Sequence, residues 1–255
     1  MEAASLERCP RHPYSCPMST LDPDLLIRAY MVGVFPMADS RDAPDVFWVE
    51  PKRRGILPLD GFHLPRSLAK LIRSERFTVT VDRCFADVMR ACAEPQPDRP
   101  DTWINDLILS NYQALFERGH AHSVECWLDG RLAGGLYGVH INGAFFGESM
   151  FTRVRDASKV ALAHLVARLK TGGFRLLDTQ FLTDHLARFG TIEIDQKRYQ
   201  SALSEALSVS GDFFALDSLD AADAVEDAAA RGEEITTVSG PASGKRIVQL
   251  LTQTS

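Results

Sequence analysis

No apolar run in the 255 residues approaches the ~20 needed to cross a bilayer. The N-terminal stretch MEAASLERCPRHPYSCPM also lacks the apolar core of a signal peptide. A cytoplasmic protein with no membrane association is the expectation, and Met18 competes with Met1 as its start. The five cysteines are odd in number and irregularly spaced, which fits a reducing compartment better than a disulfide framework. Cys9, His12 and Cys16 lack a fourth ligand, and His120, His122, His164 and His185 show no metal-ligand spacing, so no metal is expected. No serine sits in a nucleophile-elbow pattern. Gly240-x-x-x-Gly244-Lys245 is one residue short of a phosphate loop, and Arg246 stands where a magnesium-binding hydroxyl belongs. A uniform basic charge is missing too. The net charge is −6, and the eight acids and three bases of residues 211–255 account for −5, leaving −1 for the other 210 residues. That balance excludes a uniformly basic nucleic-acid binder but permits a local basic surface.

With 45% hydrophobic residues the chain can bury a sizeable core. Residues 1–17 read as a disordered leader. Asp22-Pro23 opens a helix through Leu25, Leu26 and Tyr30, and residues 18–76 read as a small N-terminal domain. Residues 77–210 read as the larger domain: a strand at FTVTV (77–81), a helix from Phe85 to Cys92, and a second helix through Leu107, Tyr112 and Phe116. Asp156 is placed to cap the helix that carries Val160, Leu162, Leu165, Val166 and Leu169. A strand RLLDTQFL follows, with Asp178 and Gln180 on one face. Residues 211–255 read as an acidic tail whose Ile247–Thr252 segment docks as a strand.

The centre of the larger domain is HSVECWLDGRLAGGLYGVHINGAFFGESMF, residues 122–151. Asp129-Gly130 and Asn142-Gly143 tolerate positive φ and close tight hairpins, which predicts an antiparallel three-strand meander. Alternation on its last strand puts Phe145, Gly147, Ser149 and Phe151 on one face and Phe146, Glu148 and Met150 on the other. A carboxylate in apolar company needs a partner or a raised pKa. Glu148 is therefore either a structural acid that caps a loop or pairs with an arginine, or a functional group. The element order suggests an α+β chain, a small N-terminal domain packed on a GNAT-like acyltransferase C-terminal domain. The turn Phe151–Asp156 has no glycine and an acid at the helix cap, so it does not offer the amide cradle that holds the pyrophosphate of acyl-CoA. Lys52, Arg53 and Arg54 form a basic triplet, and Arg66, Lys70 and Arg73 form a helical stripe. Each set is a solvated face or a phosphate-contacting surface.

Several ordered segments resemble one family. They are Thr102-Trp103-Ile104, His120-Ala121-His122-Ser123-Val124-Glu125, Gly134-Gly135-Leu136-Tyr137-Gly138, Phe146-Gly147-Glu148-Ser149-Met150-Phe151, Ala157-Ser158-Lys159 and Leu177-Asp178-Thr179-Gln180. Gly33–Met37 and Arg54–Leu59 extend the match towards the N-terminus. Over roughly residues 20–208 the chain is similar to the leucyl/phenylalanyl-tRNA–protein transferases. In place of that family's Trp-Ser-Pro it carries Trp48-Val49-Glu50-Pro51, and the tail after Gly211 lies outside the shared pattern.

The resemblance implies an enzyme that moves Leu, Phe or Met from aminoacyl-tRNA to a protein with an N-terminal Lys or Arg, marking it for degradation. It implies no cofactor, and a monomer is the expectation. Gln180 is then the group that accepts a hydrogen from the attacking amine, Asp178 orients Gln180, and Glu148 fixes the donor or the acceptor's charge. Glu148 or Asp178 would receive the acceptor's cation. Phe145, Phe146, Met150 and Leu177 are candidates for the pocket of the donor side chain, and Trp103 or Trp48 for stacking on the terminal adenosine. Trp127 reads as core. Two other classes remain open at this point: another acyl- or aminoacyltransferase on the same fold, separated by whether acyl-CoA supports turnover, and a non-catalytic RNA-binding module, which would need the basic surface but not Asp178 and Gln180.

Overall fold

Asp22 and Pro23 start the first helix as their chemistry requires. The Asp22 carboxylate accepts from the Asp24 amide at 3.0 Å, and proline leaves no orphan amide in the first turn. In the computed structural model, residues 21–95, 100–219 and 242–253 are described. The leader expected at 1–17, the Gln96-Pro97 part of the proline-rich turn and residues 220–241 of the acidic tail lie outside them. Helix α1 (Pro23–Met31) leads into a two-stranded antiparallel ribbon of β1 (Phe35–Met37) and β2 (Phe47–Val49).

The remaining strands form one sheet: β3 (Arg53–Ile56), β4 (Thr78–Val81), β5 (Ala121–Leu128), β6 (Arg131–Ile141), β7 (Ala144–Thr152), β8 (Leu176–Gln180) and β9 (Ile192–Asp195). Their order is β4-β5-β6-β7-β8-β3-β9. Every pairing is antiparallel except β7 with β8. The meander is present as its turn residues demand, with Asp129 at φ +51°, Gly130 at +72° and Asn142 at +53°. β3 comes from the stretch assigned to the N-terminal unit, yet it lies inside the large sheet, between β8 and β9.

Helices cover both faces. On one, α5 (Ala157–Thr171) packs with α2 (Arg66–Arg73) and the C-terminal α8 (Gly244–Thr252). On the other lie α1, α3 (Phe85–Cys92), α4 (Asp106–Glu117) and α7 (Gln196–Leu207). A short α6 (Asp184–Ala187) joins β8 to β9. Two expectations fail locally. Residues 247–252 are helical, not a strand: Ser243 caps the Arg246 amide at 3.3 Å, and Ile247, Val248 and Leu251 recur at the spacing that buries one helical face. Asp156 holds the N-cap position of α5, but its side chain makes no cap hydrogen bond. It sits at φ +71° and its carboxylate bonds Lys159 at 2.6 Å instead.

Candidate active site

Where β6 meets β7, Tyr137 pairs with Ser149 and Gly138 with Gly147, so Glu148 is the extra residue of a bulge. Glycine is required at 138, because a Cβ there would lie 2.3 Å from the Phe146 carbonyl oxygen. The bulge corrects the simple alternation. Glu148 stays on the face of Phe146, as expected, but Met150 crosses to the α5 side and Phe151 joins Phe146.

Glu148 is half-buried and meets two hydroxyls from separate helices. Tyr30 of α1 donates to its Oε1 at 2.8 Å and Tyr112 of α4 to its Oε2 at 3.3 Å. The two tyrosine hydroxyls also contact each other, so each phenol's single proton is shared between that contact and Glu148. A third donor is the Gln180 carboxamide, whose Nε2 reaches Glu148 Oε1 at 3.2 Å. Burial pushes the Glu148 carboxyl up to about 8, against the lowering pull of the Tyr30 hydroxyl, and the nearby Asp178 charge raises it further. Tyr30 and Tyr112 are driven well above the usual phenol range, first by burial and then by the Glu148 charge.

Asp178 is completely buried and differently held. Arg54 Nε lies 3.0 Å from each of its oxygens and Nη2 lies 2.7 Å from Oδ2. The Tyr199 hydroxyl donates to Oδ2 at 2.7 Å, and the Gln180 backbone amide to Oδ1 at 2.8 Å. The chain leaves β8 at Gln180 with φ +56°. The β7–β8 ladder ends at Phe146–Asp178, so Glu148 and Gln180 stand just beyond the last pairing.

A family model described as leucyl/phenylalanyl-tRNA protein transferase matches residues 56–204, and one for that family's N-terminal domain matches residues 19–52. The chain belongs to the leucyl/phenylalanyl-tRNA–protein transferase family. It is 58% identical over 258 residues to the leucyl/phenylalanyl-tRNA–protein transferase of Rhizorhabdus wittichii, covering 93% of this chain and 100% of the relative. The enzyme of that name from Zymomonas mobilis is 63% identical over 188 residues, 74% of this chain and 70% of its own. That from Nitrobacter winogradskyi is 60% identical over 198 residues, 78% and 88% respectively.

Not every residue expected at this transferase-family site gathers there. Arg54, expected on a basic surface with Lys52 and Arg53, is 1% exposed and turned onto Asp178. Lys52 and Arg53 are exposed, and Arg53 pairs with Glu193. Arg66, Lys70 and Arg73 are exposed on α2, in the layer behind the sheet from Tyr30 and Tyr112. The four pocket candidates split: Phe145 and Leu177 are buried on the α5 side, with Met150 half-buried against them, whereas Phe146 packs 4.8 Å from the Tyr30 ring on the other side. One slot cannot hold all four. Trp48 and Trp103 are half-buried against the cluster that contains Tyr30 and Tyr112, and Trp127 donates to Thr80 at 2.8 Å.

Sequence reasoning misses Tyr30, Tyr112 and Tyr199. Tyr30 follows Leu26 by four residues and Tyr112 follows Ile108 by four, so each reads as one more apolar position on a buried helical face. Nothing local marks a phenol aimed at a carboxylate. His122, which has no carboxylate pattern near it in sequence, pairs with Asp82 at 2.7 Å. Among the described residues no three His, Cys, Asp or Glu side chains converge to hold a metal, and no helix is long and apolar enough to cross a membrane.

Proposed function

We propose that this chain transfers leucine or phenylalanine from aminoacyl-tRNA to the N-terminal Lys or Arg of an acceptor protein. The observation that carries this reading is the Gln180 carboxamide: its nitrogen is committed to Glu148 at 3.2 Å, so its carbonyl oxygen is the end of the group that can accept a hydrogen from an amine. That oxygen is the group to align an amine hydrogen. Family membership supplies the substrate class.

The amine nitrogen attacks the ester carbonyl carbon. The new C–N bond forms as the C–O bond to the terminal ribose breaks, and the ribose oxygen takes the proton the amine releases. The ester is already activated, so alignment is the main demand on the protein, a contribution that reaches roughly 7–11 kcal/mol. Parallel β7 and β8 stop pairing beside the site, and this parting supports the GNAT-like reading and an entry for the donor side chain between them. Leu177 and Met150, with Phe145 behind, supply an apolar wall on the α5 side. Trp48 and Trp103 are the aromatic faces available to the terminal adenosine. Asp178 has no oxygen left for an acceptor cation, so that role passes to Glu148, whose ionised form the incoming positive charge favours. No step requires a metal or coenzyme, and the reaction belongs in the cytoplasm, where charged tRNA is made.

The test is incubation with labelled leucyl-tRNA and peptides that start with Arg or Glu. Label should pass to the Arg peptide and not to the Glu peptide. Transfer that depends on acyl-CoA, or equal use of both peptides, rejects the reading.

A further inference from the structure

We infer that Arg54 and Tyr199 are positioning residues for transfer: they clamp the Asp178 carboxylate, which in turn fixes the Gln180 main chain so that the Gln180 carboxamide faces the amine. The inference rests on the aminolysis reading above.

A carboxylate offers about four lone-pair directions. Asp178 spends them on Arg54 Nε and Nη2, the Tyr199 hydroxyl and the Gln180 amide, at 2.7–3.0 Å. None is left for the Gln180 side chain or for an amine proton. Asp178 therefore acts on Gln180 through the backbone and does not polarise its carboxamide directly.

That backbone contact matters because φ +56° is disfavoured for a residue with a Cβ. The Asp178–Gln180 amide bond and a Phe181 amide contact to the Thr179 carbonyl at 2.6 Å hold the turn. β3 makes room for it at Gly55, where a Cβ would lie 2.5 Å from the Phe181 carbonyl carbon. Arg54 is itself fixed on three sides. Its Nη1 donates to the Gly33 carbonyl at 2.9 Å, and its guanidinium lies 4.7 Å from the Phe35 ring and 4.5 Å from the Tyr199 ring. Gly33 and Phe35 follow α1, so the seating of the N-terminal segment is transmitted to Gln180 through one arginine.

The test uses the full chain with leucyl-tRNA and an Arg-started peptide, and compares Tyr199→Phe alone with Tyr199→Phe on a Gln180→Ala background. Alone, the substitution should lower kcat about 10-fold, one hydrogen bond to a charged group, with both KM values unchanged. On the Gln180→Ala background it should cost nothing further, because both changes disable one device. The Gln180 amide proton should move upfield in the NMR spectrum of Tyr199→Phe. Arg54→Lys, which keeps the charge but loses the fork, should lower kcat more than Tyr199→Phe does. Equal losses on both backgrounds, or a lowered Tm with unchanged kcat, would overturn the inference while leaving aminolysis standing. A wild-type protein inactive with leucyl-tRNA would remove both.

Discussion

Two carboxylates flank Gln180, and they are managed in opposite ways. Asp178 meets a full countercharge in Arg54 and is wholly buried. Glu148 meets only neutral donors, two phenols and an amide, and is half-buried. A charge removed from water needs a partner, or it gives way to the neutral form. Asp178 follows the first course and becomes a fixed anchor. Glu148 follows the second, its carboxyl held near 8 by burial. The lesson is that the same functional group serves as scaffold or as adjustable group according to whether an arginine reaches it.

The largest way to break this contrast is Arg54→Met, which strands Asp178 without a countercharge. It should cost about 3–5 kcal/mol in urea unfolding. Adding Asp178→Leu should recover much of that stability but not the activity. Recovery of both would make the pair a mere packing device.

Next in size is Gln180 itself. Gln180→Ala should lower kcat about 100-fold, the scale of one positioned hydrogen-bonding group, with Tm unchanged. Gln180→Glu keeps the shape but sets a second carboxyl against Glu148, where the side chains now meet at 3.2 Å. Repulsion should raise a carboxyl pKa and abolish activity at neutral pH. Near-wild-type turnover by Gln180→Glu would place the chemistry elsewhere.

The contrast sharpens with pH. The Glu148 carboxyl is raised from 4.5 to about 8, so between those values the folded protein keeps a proton that the unfolded chain has released. Its contribution to stability is complete below 4.5 and is lost as pH climbs through about 8. Glu148→Gln removes that loss. The Tm of the variant minus that of wild type should therefore rise between pH 5 and pH 9, and a flat difference would contradict the raised value. The smallest effect on stability belongs to the basic stripe. Replacing Arg66, Lys70 and Arg73 by Ala should leave Tm nearly unchanged, since each is exposed. It should flatten the salt dependence of tRNA binding by up to about 0.9 in slope for each phosphate no longer neutralised. An unaltered slope assigns the stripe to ordinary solvation.

Turn dipeptides, helix caps and apolar spacing act within a few residues. By itself the sequence therefore determined the meander, α1 with its Asp22 cap, the strand that carries Asp178 and Gln180, and the family signature. It misjudged residues 247–252, where a short apolar run fits a strand or a helix equally until α2 and α5 supply the surface it packs on. It also could not show which way Arg54 turns, because a basic triplet looks the same whether its middle or last member faces water. Tertiary structure decided that through Asp178, 124 residues away in sequence. It likewise brought Tyr30 to Glu148 across 118 residues. A hydrogen bond of this kind is set by where two distant strands and helices come to lie, and the bulge that shifts Met150 away from Phe146 exists only in the pairing of β7 with β6.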